Sequence, residues 1–321
     1  MNQRILLILL MFQLPACRRA TVTATLLATD AKAETVVLDI QNARDVTVEP
    51  NTLPPLPEPL VGVTLDNIEN LPGIVTSLAH LAQKHKPIAR VVLDEHQVPA
   101  YYQEAIPAIH QHAFVMGEIL DSQFVKDISV DEYVARAQAY VIAFAETVDL
   151  WEIGNEINGE WLLAKGENPL NVVAKMTGAY QVVRKAGKRA ALTLYYNKDC
   201  WSDPAHEMFA WAKANVPTEM RAGLDVVLVS YYEDDCNGLQ PDWTTVFANL
   251  RQLFPSAQLG IGECGTKFPQ KKADYVKRYY GMQVPVKGYV GGYFWWYFYQ
   301  DMVPDTTELF GVLLKAIGGN G

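Results

Sequence analysis

Two short stretches hold residues whose types and spacing suit acid–base and nucleophilic work: Trp151-Glu152-Ile153-Gly154-Asn155-Glu156 and Leu259-Gly260-Ile261-Gly262-Glu263-Cys264-Gly265. Each reads as a strand-forming run that closes on a carboxylate. Two carboxylates opposed across a sugar can divide the work on a glycosidic bond. One protonates the leaving oxygen, and the other attacks the anomeric carbon or activates water.

Chemistry of this kind needs a scaffold that brings two distant strand ends together. From Leu60 onward, strand-like and helix-like segments alternate. The strand-like runs are Leu60 to Leu65, Ile88 to Leu93, Ala113 to Ile119, Val148 to Ile153, Ala190 to Tyr196, Leu224 to Tyr231, Gln258 to Gly262 and Gly288 to Trp296. Amphipathic segments lie between them, such as Ser129 to Thr147 with Val130, Tyr133, Val134, Ala137, Val141 and Phe144 at helical spacing. Ser129 and Asp242 stand where helix N-caps belong. Eight such repeats, ending with Thr306 to Ile317, predict an α/β fold, a single-domain (β/α)8 TIM barrel over 60–321. A doubly wound open sheet is the runner-up, but no Gly-rich phosphate loop follows the first strand.

In a barrel of this type, catalytic groups stand at the C-terminal ends of the strands. Glu156 and Glu263 fall there, on the fourth and seventh. Alternation along a strand gives Glu263 the same direction as Leu259 and Ile261, which are expected inside the barrel.

Asn-Glu closing the fourth strand and a lone Glu closing the seventh resemble the clan A glycoside hydrolases, barrel enzymes that retain anomeric configuration. The resemblance implies Glu156 as acid/base, Glu263 as nucleophile, and Asn155 as the partner of the sugar 2-hydroxyl. It further implies that Tyr232, in Ser230-Tyr231-Tyr232 on strand six, hydrogen-bonds the nucleophile. The clan's strand-two Arg corresponds to Arg90, which lies near the start of its strand and is grouped with the substrate-binding residues. Gly292-Tyr293-Phe294-Trp295-Trp296 supplies an aromatic floor, with Trp296 slightly favoured over Trp295. Locally, Ile153-Gly154-Asn155-Glu156-Ile157-Asn158-Gly159 followed by Trp161, together with Ser230-Tyr231-Tyr232, looks most like arabinogalactan endo-β-1,4-galactanases. That likeness covers these two motifs and stops at Glu233-Asp234-Asp235. Asp66, Asp94, Glu118, Tyr195, Tyr196 and Asn197 are further strand-end groups that can line a sugar site, and Trp161, Trp201 and Trp243 can lengthen the cleft.

The expected partner is therefore a poly- or oligosaccharide, with no cofactor. The alternative is a non-catalytic polysaccharide-binding lipoprotein on the same barrel. A net charge of -9 and a pI near 5.2 supply no basic surface for nucleic acid. A metal-dependent hydrolase would need His at several strand ends, and only His96 lies near one.

The first residues read as an address. Arg4 precedes the apolar run Ile5 to Leu14, and Leu14-Pro15-Ala16-Cys17 resembles a bacterial lipoprotein box, which implies lipidation of Cys17 and a periplasmic or outer-membrane location. Ala31-Lys32-Ala33 offers an ordinary cleavage site and secretion instead. Segment 1–17 is thus expected to be a signal. Segment 18–59 is expected to hold a tether, a short hairpin from Thr35 to Ile40 and Asp45 to Glu49, and a Pro-rich connector. Cys200 and Cys236 follow strands five and six, so on adjacent loops they can form a disulfide in an oxidising compartment, or remain free thiols. A bridge there would hold Asp234 and Asp235 over the cleft. Cys264 is expected to be a buried hydrophobe beside Glu263.

Overall fold

The computed structural model describes residues 53, 55–236 and 238–318. The expected signal, Cys17 and the hairpin lie outside the described residues.

Eight parallel strands close into a barrel in sequence order. They are β1 Leu60–Leu65, β2 Ile88–Val92, β3 Phe114–Glu118, β4 Leu150–Glu152, β5 Arg189–Tyr195, β6 Val226–Ser230, β7 Gln258–Glu263 and β8 Tyr289–Trp295. The helices of the described residues are α1 Leu71–Ala82, α2 Ala105–His110, α3 Val130–Ala143, α4 Leu170–Lys185, α5 Met208–Asn215, α6 Thr218–Gly223, α7 Trp243–Leu253, α8 Pro269–Tyr280, α9 Phe298–Met302 and α10 Glu308–Gly318.

Local rules account for the helix starts. Ser129 caps α3 in a capping box: its hydroxyl accepts from the Glu132 N–H, and the Glu132 carboxylate accepts from the Ser129 N–H. Asp242 accepts from the Thr245 N–H and caps α7.

Alternation along the strands makes two cores. The larger lies between barrel and helices and takes residues such as Val61, Val63, Ala89, Val91, Trp151, Leu192, Val227 and Ile261. The smaller lies inside the barrel and takes Leu60, Ile88, Met116, Leu150, Ala191, Val226, Leu228, Val290 and Phe294, with Leu56 packed against them. Strands buried on both faces read as near-continuous apolar runs, which is the pattern of a parallel sheet.

Above this apolar floor the inward positions turn polar. Thr64, Arg90, Glu118, Glu152 and Thr193 are each 0 or 1% exposed. They form a buried layer directly below the C-terminal strand ends.

One expectation about β7 is corrected. Leu259 and Ile261 belong to the outer core against the helices, and Gly260 and Gly262 face inward. A Cβ on Gly262 would lie 2.6 Å from the Leu228 Cβ inside the barrel. Glu263 reaches the interior because the register slips: Val229 pairs with Ile261, and Ser230 then pairs with Glu263. An extra residue in one strand reverses the side-chain parity beyond it.

Candidate active site

The cleft at the C-terminal end of the barrel has a volume of about 350 Å³. Asn155, Glu156, Trp161, Tyr195, Tyr232, Glu263 and Trp296 line it, together with Asp121, Ser122, Gln123 and Asp235. The structure thus brings both strand-end glutamates into one cavity.

Glu263 is held by donors on three sides. The Arg90 guanidinium lies 2.7 Å from Oε1, the Asn155 side-chain N–H donates to the same oxygen at 2.8 Å, and the Tyr232 hydroxyl donates to Oε2 at 2.8 Å. Burial pushes Glu263 up from the ordinary carboxylate range, and Arg90 and Tyr232 pull it back. Burial and the charges of Glu263 and Glu156 raise the Tyr232 phenol well above its usual value, so it stays a donor.

Glu156 sits in a different environment. Its carboxyl accepts from the Ser230 hydroxyl at 2.6 Å and from the Ser122 hydroxyl at 3.1 Å, and among the described residues no cation reaches it. Burial, and then the charge of Glu263, push it up to about 8, and the two serines oppose that shift. Its backbone has a φ of 43°, a region that non-glycine residues seldom occupy. The turn is fastened on both sides: the Ile157 N–H donates to Thr193 O at 3.1 Å, and the Gly159 N–H to Glu156 O at 2.7 Å. Such strain, of order 1 kcal/mol or more, is held by the surrounding packing and clusters at functional positions.

Arg90 departs from its expected place. It stands in the middle of β2, is 0% exposed, and does not line the cleft. Its Nε donates to Glu152 Oε2 at 2.6 Å and its Nη2 to Glu152 Oε1 at 3.1 Å, with Glu118 3.1 Å away. The Trp296 ring covers it from the cleft side, 5.6 Å from Cζ to centroid. A side chain so enclosed meets the carboxylate and cannot touch substrate, which corrects its grouping as substrate-binding.

Trp295 is the second correction. It is wholly buried in the outer core and its indole N–H donates to Asp301 at 3.0 Å. Consecutive residues of a strand point to opposite faces, so the same alternation that puts Phe294 and Trp296 inward turns Trp295 out.

The remaining strand-end groups divide. Trp161 lines the cleft and donates through its indole N–H to the Ser122 hydroxyl at 3.0 Å, and Tyr195 lines it beside Trp161, with ring centroids 5.3 Å apart. Tyr196 and Trp243 pack on Tyr231 in the outer core. Asn197 fixes the loop after β5 by bonding His206 O and the Met208 N–H. Asp66, Asp94 and Trp201 do not line the cleft, and Glu118 lies beneath it.

Cys200 and Cys236 form a disulfide with Cα atoms 5.6 Å apart. Closing a 36-residue loop stabilises the fold by roughly 3 to 4 kcal/mol on the chain-entropy account. The bridge ties the loop after β5 to the loop after β6. Of the two acidic residues beside it, Asp235 lines the cleft, whereas Asp234 turns away to Thr266 and Lys271. Cys264 is a free, buried thiol whose own value burial pushes well up.

Sequence reasoning missed Ser122, Glu152 and Thr193. Ser122 follows β3 on a loop that carries no motif. Glu152 stands inside the quoted motif at an inward position on β4, so its parity with Leu150 was a usable signal. The Thr193 hydroxyl donates to Glu152 Oε1 at 2.5 Å, and only the fold brings them together.

No family model matches the chain, and no curated protein matches it. Among solved structures, a broad-specificity endoglucanase of glycoside hydrolase family 5 from an uncultured bacterium is similar at 12% identity and a TM-score of 0.53, over 82% of this chain and 95% of its own. A glycoside hydrolase family 5 enzyme from Prevotella bryantii is similar at 12% identity and a TM-score of 0.53, over 82% of this chain and 95% of that one. A family 1 β-glucosidase from Thermotoga maritima is similar at 12% identity and a TM-score of 0.50, over 71% of this chain and 76% of that one. At this identity the likeness shows the fold. The chain has the closed (β/α)8 barrel of glycoside hydrolases from families 5 and 1.

Proposed function

We propose that the chain is a retaining glycoside hydrolase that cleaves O-glycosidic bonds of a poly- or oligosaccharide by double displacement. Glu263 attacks the anomeric carbon as its carboxylate while Glu156 gives its proton to the leaving oxygen. Glu156, then charged, takes a proton from water, and that water releases the sugar from Glu263. Asn155 meets the sugar 2-hydroxyl, Tyr232 steadies Glu263, and Trp296 and Trp161 offer ring faces to the sugar.

The observation that carries this reading is the unlike environment of the two carboxyls. Glu263 has a guanidinium and two further donors, and Glu156 has burial, a negative neighbour and two hydroxyls. Pairs of titratable groups pushed apart in this way divide acid from nucleophile. The fold neighbours support the same class, since clan A enzymes of families 5 and 1 retain configuration. The local likeness to galactanases makes β-1,4-galactan one polymer to try.

The protein is further proposed to act outside the cytoplasm, anchored through Cys17 if that residue is lipidated. The Cys200–Cys236 bridge supports this, because disulfides persist in oxidising compartments.

The test is a panel of activated aryl glycosides with the wild type, Glu263→Gln and Glu156→Ala. Wild-type hydrolysis with the anomer retained in the first-formed product, loss of activity in Glu263→Gln, and azide rescue of Glu156→Ala on good leaving groups are the expected results. Binding of polysaccharide without turnover of any glycoside would favour the non-catalytic alternative. Equal loss of all substrates in Glu156→Ala would remove the acid/base role.

A further inference from the structure

The lining of the cleft has a one-sided charge. Asp121, Glu156, Asp235 and Glu263 contribute carboxyls, and among the described residues no Lys, Arg or His lines it. Arg90 is the cation below, but it is enclosed, covered by Trp296, and already shared by Glu118, Glu152 and Glu263. Lys165, Lys198 and Lys267 stand on the loops after β4, β5 and β7 and do not line the cleft, and cations of the flanking helices α3 and α8 are engaged elsewhere. Lys271 pairs with Asp234, Lys272 with Asp301, and Arg136 donates to backbone carbonyls of Leu93, Asp94, Gln97 and Ile119.

Glu156 and Glu263 have assigned work, so the question falls on the other two. Asp235 is exposed, has no side-chain partner among the described residues, and is held at the cleft by the neighbouring disulfide at Cys236. Asp121 uses one oxygen to accept the Gln123 N–H, and the other has no hydrogen-bond partner among the described residues. Trp161, Tyr195 and Trp296 line the same cleft.

A uronate or sulfate brought into this space meets only like charge and loses its water in doing so. An ammonium meets unpaired carboxylates. We propose that the cleft takes glycans that carry free amino groups, of the deacetylated amino-sugar class, with Asp235 and Asp121 receiving the ammonium, and that it turns away uronate- and sulfate-bearing chains. This rests on the glycosidase reading only for the orientation of the sugar, because the charge argument concerns binding.

The experiment uses the full chain carrying Glu156→Gln, an uncharged stand-in for the protonated acid that leaves the charge of the cleft unchanged. Binding is followed by tryptophan fluorescence at mildly acid pH with β-1,4- and β-1,6-linked glucosamine oligosaccharides, their N-acetylated counterparts, and oligogalacturonate. The glucosamine chains are expected to bind about tenfold more tightly than the acetylated ones, with the ratio shrinking as salt shortens the reach of the charges. Asp235→Asn in the same background should reduce that ratio about fivefold, the size of a partly exposed ion pair near 1 kcal/mol. Binding of oligogalacturonate, equal binding of acetylated and free-amine chains, or a preference that survives Asp235→Asn together with Asp121→Asn would overturn the proposal. Wild-type hydrolysis is read in parallel. Amine-selective binding without turnover of any glycoside would sink the glycosidase reading and support this one, whereas turnover of neutral chains with no amine preference would do the reverse.

Discussion

Replacing Ser230 by Ala should move the alkaline limb of the pH profile upward. The Ser230 hydroxyl donates to Glu156 Oε1 at 2.6 Å, the shorter of the two hydrogen bonds the structure gives that carboxyl. A hydrogen bond to a charged group is worth about 1.5 to 3 kcal/mol, and one pKa unit is about 1.4 kcal/mol. Full loss would therefore raise Glu156 by about one to two units. A hydroxyl can also accept from the neutral acid, which recovers part of that, so about one unit is expected. The sign is fixed, because the bond favours the carboxylate and its removal favours the acid. Glu156 already stands near 8, and kcat/KM reports the acid of the free enzyme. The measurement is kcat/KM against pH for a phenyl glycoside, whose poor leaving group needs the proton. The limb should rise by about one pH unit in Ser230→Ala and by less in Ser122→Ala, whose bond is 3.1 Å long. A limb that stays in place or moves down would refute the assignment of Glu156 as the acid.

Two further outcomes follow from the same geometry. Glu156→Gln should be more stable than the wild type above neutral pH: a carboxyl near 8 when folded and near 4.3 unfolded loses stability as pH rises between those values, by about 1.4 kcal/mol per unit. Thermal melts at pH 4 and pH 8 read this, with the gap between variant and wild type opening by about 4 kcal/mol at the higher pH; a constant gap would count against a raised Glu156. Tyr232→Phe removes the donor to Glu263 Oε2 and should lower kcat/KM by about ten- to hundredfold, the size of one hydrogen bond to a charged group, with melting little changed; an unchanged rate would argue that Glu263 is not the nucleophile.

The barrel was legible in the sequence because its strands are short apolar runs buried on both faces, separated by amphipathic helices with ordinary caps. Strand number gave Glu156 and Glu263 their places, and those places do not depend on the exact frame of any strand. Side-chain direction does depend on it. The inward turn of Glu263 was expected for the wrong reason, since Leu259 and Ile261 face the helices and a register slip at Gly262 brings the carboxylate in. Bulges leave no periodic trace in a six-residue strand. Trp296 and Trp295 stayed unresolved for the same reason, until Phe294 placed itself in the inner core. Ser122 was invisible because a serine on a loop after β3 has no pattern to mark it, and its role comes from Glu156 and Trp161 arriving from another strand and loop.

The buried layer explains how one barrel end can hold two glutamates in opposite roles. Desolvation alone raises both. Glu263 is distinguished by the cation from β2, and that cation must point at it. Glu152 holds the guanidinium through Nε and Nη2, with its own carboxylate braced by Thr193, so Arg90 cannot swing away. Glu118 stands 3.1 Å from the same Nη2. Burial raises it well above the ordinary carboxylate range, and Arg90 pulls against that shift. Among the described residues no equivalent cation reaches Glu156, whose two hydroxyl donors only moderate the effect of burial. The division between acid and nucleophile is therefore set one layer below the cleft, by which strand presents Arg90 and by what fixes its direction.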